Sequence, residues 1–118
     1  LVKVLAKRRN NAMPPLSKAF KQTVQARAKC DPAFREALLQ EAVDAMLAGD
    51  TDTGKAVLRD YINATVGFEE LSLVVKKPAK SLMRMFSPQG NPQANNLFTI
   101  LAFLRQKEGI HFQAKPIR

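Results

Sequence analysis

Lys80 and Arg84 stand four residues apart, with Ser81 between them and Lys76 and Lys77 just upstream. On a helix, residues four apart lie one above the other on a single face. Cations in that register suit the edge of a base pair. Lys and Arg donate to guanine O6 and N7, and Ser serves as donor or acceptor. Lysines at the entrance to such a helix suit phosphate oxygens, as do the amides of its first turn. The chemistry expected here is recognition of a polyanion, with Lys80, Ser81 and Arg84 reading bases and Lys76 and Lys77 holding backbone. Other residues offer less. His111 has no nucleophile or orienting carboxylate beside it, and Cys30 is far from it with no motif around it, so an enzyme is not expected. One Cys and one His cannot complete a four-ligand zinc site. Asp50 and Asp52 lack the longer oxygen-rich pattern of a calcium loop and read as helix caps. Gly90-Asn91-Pro92 is not followed by the Gly-Lys-Ser/Thr of a phosphate loop. Met83 and Met85 read as gap-filling packing, with a part in an interface if the protein pairs. No cofactor and no metal are expected.

A base-reading helix needs a scaffold, and the sequence outlines one. Residues 67–86 read as a short helix over 68–74, a turn at Val75-Lys76-Lys77, and a second short helix from Pro78 to about Phe86. This is a helix-turn-helix layout, whose second helix enters the major groove. Leu71 and Val74 are expected to pack against Leu82 and Phe86, and Phe68 is expected in the core. Lys77, Lys80, Ser81 and Arg84 are then left facing outward. Upstream, Ser17 can cap a helix over about 18–28 with Phe20 and Val24 inward. Asp31-Pro32 is a start signal for a helix over 32–48, which Gly49 stops. The run Asp50-Thr51-Asp52-Thr53 opens a helix of about 53–65, broken by Gly67. Downstream, Ser87–Pro92 is a turn cluster. Asn95 or Asn96 caps a last helix of about 96–107, ended by Gly109. Ile110–Gln113 alternates and predicts a short strand.

Charge supports the same chemistry. The 118 residues hold 19 Lys+Arg against 10 Asp+Glu, a net charge of +9 and a pI near 10.1. The excess is segregated: residues 1–30 carry eight bases and no acid, 31–70 carry nine acids and three bases, and 71–107 carry six bases and no acid. Two basic blocks around an acidic one imply sided faces and a polyanionic partner, nucleic acid before a membrane surface. With 46% hydrophobic residues, the chain is ordinary globular material of one domain's length. No apolar run reaches the ~18–20 residues of a bilayer span. The single Cys excludes an internal disulfide and favours a reducing, cytoplasmic setting. Residues 1–15 lack a secretory signal and are expected to form a basic, poorly ordered arm ahead of one helical domain over 16–118. Met13 is a candidate start residue.

The stretches LRDYINATVGFEEL (58–71), KSLMRMFSPQGNPQ (80–93) and LRQKEGIHF (104–112) resemble the small bacterial lambda-repressor-like (Xre-type) regulators, and more narrowly the addiction-module antidote proteins. The resemblance covers about 31–113. It implies an all-α DNA-binding fold, pairing as a homodimer on an operator, and repression of the protein's own operon. In that family the helix matching Pro78–Phe86 is the recognition helix. Members often start it with Ser or Thr, whereas Lys77-Pro78 stands here, and Pro supplies no side-chain cap. The expected architecture is therefore an all-α, lambda-repressor-like helix-turn-helix bundle with a short C-terminal strand. The expected function is sequence-specific binding of double-stranded DNA. The alternative is an antitoxin acting mainly by covering a toxin protein, its acidic 31–70 segment set against a basic partner.

Overall fold

Two aspartates start two helices. Asp31 Oδ1 accepts from the Phe34 amide at 3.1 Å, and Asp50 Oδ1 accepts from the Thr53 amide at 3.2 Å. Each satisfies a first-turn donor that the helix itself leaves open. A computed structural model describes residues 18–117. Its elements are α1 (Lys18–Cys30), α2 (Pro32–Leu47), α3 (Thr51–Ala64), α4 (Gly67–Val75), α5 (Ala79–Met85) and α6 (Ala94–Glu108). The expected cap at Ser17 and the arm over 1–15 lie outside the described residues.

α2 and α3 form the central pair. Gly54 sits where they cross: a Cβ there would lie 2.4 Å from Met46 Cγ and 3.2 Å from the Ala42 carbonyl. Small residues at the crossing bring the backbones together, and the buried Leu38, Leu39, Leu58 and Ile62 fill the space around it. α1 adds Val24 and Ala28, and α6 adds Ile100 and Leu104. Each such aliphatic side chain removed from water contributes about 1.5–3 kcal/mol.

Three local expectations change. First, α6 begins at Ala94, and no asparagine caps it. The Leu97 amide reaches the Gln93 carbonyl at 2.9 Å, so the helix starts as soon as the chain clears Pro92. Second, there is no strand among the described residues, and 110–113 is irregular. No second segment lies alongside to complete a ladder, so alternation alone cannot make a strand. Instead Gly109 turns the chain at φ 75°. Arg105 Nη1 then donates to the Ile110 carbonyl and to His111 Nδ1, both at 2.9 Å. Ile110 and Phe112 pack partly against the core. Third, Val74 is 38% exposed, and Val75 takes its place against the core. Val75 stands seven residues after Phe68, almost two full helical turns, and shares its face. Val74 lies about 100° away.

Two buried polar contacts join distant parts of the chain. Glu108, at the end of α6, accepts from Arg35 Nε at 3.2 Å and from the Tyr61 hydroxyl. Arg35 Nη1 also donates to the Ala28 carbonyl at 3.1 Å, so one guanidinium ties α1, α2 and α6 together. Hydrogen bonding to Glu108 raises the Arg35 pKa. Burial, with the Glu108 contact second, raises that of Tyr61. The other contact is Lys55, only 7% exposed. Its Nζ donates to the Gly90 carbonyl at 2.6 Å and to those of Ser87 and Pro88 at 3.3 and 3.4 Å. It thereby fixes the turn that follows α5.

Candidate nucleic-acid interface

α4 and α5 form a corner on the bundle, built from the inside outward. Leu71 and Leu82 are fully buried between the two helices, and Phe68 meets Phe86 with ring centroids 6.2 Å apart at 51°. That tilted geometry is favourable for aromatic pairs. α4 ends where Lys76 adopts a left-handed conformation, φ 60° and ψ 43°. It is the only non-glycine residue at positive φ among those described. A β-carbon in this region costs about 1 kcal/mol. The turn is held by the Lys76 amide on the Ser72 carbonyl at 2.9 Å. Pro78, extended at ψ 143°, then delivers the chain into α5 with no side-chain cap, as expected for Pro at that boundary.

The five expected contact residues all lie on this corner, and they differ in exposure. Lys76, Lys80 and Arg84 are exposed, while Lys77 and Ser81 are half-buried. The α5 register puts Lys80 and Arg84 on the face opposite Leu82, which packs inward. Met83, expected as packing, is 47% exposed and lies on the same outer face, about 60° from Lys80. Its neighbour Met85 packs partly into the core. A sequence gives no signal for this split, because both methionines suit either environment.

The rest of the 71–107 basic block is engaged elsewhere. Lys107 Nζ pairs with Glu70 at 3.0 Å, and Arg105 is bonded to the 110–111 segment. In α1, Arg27 lies 4.7 Å over the Phe34 ring and 3.5 Å from Asp31. Four of the block's six bases therefore concentrate at the turn and on α5.

No protein family, curated protein or solved structure matches this chain.

Its function must therefore be read from its own residues. Asp50 and Asp52 stand at the start of α3, Asp52 also lying 3.7 Å from Lys55 Nζ. No group of three or more His, Cys, Asp or Glu side chains among the described residues is placed to hold a metal. No described helix is long and apolar enough to cross a membrane. The surface open at the α4–α5 corner is cationic and seated on a packed base. Such a surface suits an anionic groove or backbone as partner.

Proposed function

We propose that this chain is a sequence-specific DNA-binding regulator, with α4 and α5 as a helix-turn-helix and α5 as the reading helix. The observation that carries the reading is the paired exposure of Lys80 and Arg84 on one face of a helix whose other face is locked into the core. A rigid base holds the two donors at a fixed spacing, as bidentate contacts to base edges require. Lys76 and Lys77 lie at the helix entrance and hold phosphates. α5 spans seven residues, about 10 Å, which covers only a few base pairs. Selection of one site in a genome then calls for two copies reading half-sites about 34–36 Å apart. Repression of its own operon, from the cytoplasm, is the regulatory role in keeping with the resemblance.

Selection of bound fragments from a random duplex library tests the reading. A reproducible palindromic site is the expected result. Binding without sequence preference would reduce the corner to a general polyanion surface. No binding at low salt would favour the alternative, a toxin-covering role for the acids of α2 and α3. Glu36, Asp44 and Asp52 belong to that acidic segment, and Asp52 is exposed.

A further inference from the structure

A groove of about 260 Å³ lies among α2, α3, α6 and the turn that follows α5. Val43, Met46, Leu97 and Leu101 form apolar walls, while Leu47 and Phe98, 79% and 66% exposed, leave it open to solvent. Its polar part is small: Thr51 and Lys55, four residues apart on α3, and Asn91. These lie together, since Lys55 Nζ is bonded to the carbonyl of Gly90, the residue before Asn91. An apolar hollow with a few convergent polar groups is the usual form of a small-molecule site.

Lys55 is the only charged residue in the lining, and its partners do not cancel its charge. The carbonyls of Ser87, Pro88 and Gly90 are neutral acceptors, and only the Gly90 contact, at 2.6 Å, is short. Asp52 stands 3.7 Å away with its side chain 88% exposed, where water screens an ion pair. Asp50 and Asp52 line a different hollow, with Ser87 and Pro88, and neither lines the groove.

We propose that this groove is an effector site for a small monocarboxylate with an apolar body, its headgroup on Lys55 Nζ. The site goes beyond the DNA-binding reading and does not depend on it. Charge selects the occupant. One cation in an otherwise uncharged lining favours one anionic headgroup, with the Thr51 hydroxyl and the Asn91 amide as further donors. No second cation is present for a dianion. The walls require an apolar body, and since cavities of ~150 Å³ already admit benzene, the groove has room for one of about eight carbons. The link to α5 runs through the same ammonium, which fixes the turn behind that helix. A carboxylate competes first with the two long contacts, those to Ser87 and Pro88. Binding therefore shifts the turn and with it Met85, the last residue of α5.

The test is NMR of the full chain with labelled methionine methyls, titrated with octanoate, octanol and octylammonium in the absence of DNA. Octanoate should bind with a dissociation constant below about 1 mM, which is within reach of a ligand of about ten non-hydrogen atoms. It should move the Met46 and Met85 signals together and to saturation. Octanol should bind at least about tenfold more weakly, the loss of one hydrogen bond to a charged group, and octylammonium should not bind. Phe98→Glu sets a carboxylate at the open side and should weaken octanoate at least about tenfold by repulsion, with unchanged helical circular dichroism. Should that variant fold poorly, the three headgroups on the wild type decide alone. An unmoved Met46 signal overturns the proposal, as does octanol binding as tightly as octanoate. A folded Phe98→Glu chain that binds octanoate like the wild type also overturns it. Met46 moving without Met85 overturns the effector role. A Met46 signal that moves with protein concentration alone, or on deletion of 1–17, would assign the groove to a second copy or to the N-terminal segment and likewise overturns the proposal. Because no DNA is present, these results stand apart from the library selection.

Discussion

Arg84 and Lys76 separate two kinds of contact that charge alone cannot distinguish. Both are exposed, so neither substitution to Ala should move stability by more than about 0.5 kcal/mol. On the proposed reading, Arg84→Ala loses about 1–3 kcal/mol on the selected site and little on a scrambled duplex. Lys76→Ala weakens both alike, because phosphates carry no sequence. Competition titration of the two duplexes decides this, and an equal loss on both for Arg84→Ala would make Arg84 a phosphate clamp. The spacing of these residues was legible because it depends only on the helical repeat. The partners of Tyr61 were not, since Glu108 lies 47 residues away. Tyr61 is the only tyrosine, so tyrosinate absorbance reports it alone. Its pKa is raised in the folded state, so the folded protein holds the proton more tightly than the unfolded chain. The stability this supplies is complete below the unfolded value of about 10 and is lost as pH rises beyond it. Urea melts from neutral to alkaline pH should show that decline, and Tyr61→Phe should flatten it. Tyrosinate appearing near the ordinary pKa while the helices remain intact would contradict the buried geometry.

The orientation of α5 depends on the turn behind it. A Cβ on Gly90 would lie 2.0 Å from the Arg84 carbonyl and 2.6 Å from that of Met85, so the turn folds directly against the end of the helix. Lys55 reaches the same turn from α3. Gly90→Ala should cost about 1–3 kcal/mol through forced backbone shifts. Lys55→Met should cost about 2–3 kcal/mol, because three carbonyls lose a charged donor. Both changes release one structure, so the double variant should cost less than the sum, by at least about 0.5 kcal/mol. Additive losses in chemical denaturation would show that the two act independently. The element boundaries at Asp31, Asp50 and Gly109 were legible, because a cap acts within one turn of its own residue. The turn at Ser87–Pro92 was also legible as a break. Its attachment to Lys55 was not, since carbonyl acceptors exist at every position and leave no mark on residue type.

At the scale of the molecule, charge segregation is the property most open to test. Residues 1–15 carry Lys3, Lys7, Arg8 and Arg9. On the DNA-binding reading, deleting them should weaken all duplexes and reduce the steepness of the logarithmic salt dependence by about 0.9 for each phosphate no longer neutralised. The selected site should not change. A changed site would mean that these residues read a groove. The three charge blocks, the run of helices and the outward face shared by Lys80 and Arg84 were determined by sequence alone. Each depends on composition or on a hydrogen-bond pattern that closes within about four residues. Tertiary structure decided the rest. It packed Val75 rather than Val74 against the core and exposed Met83. It withdrew Arg105 and Lys107 from the basic block by binding them to the 110–111 segment and to Glu70. It also left 110–113 without a strand to pair with. Those outcomes depend on which distant surface arrives alongside a residue, and periodicity within one segment carries no information about that.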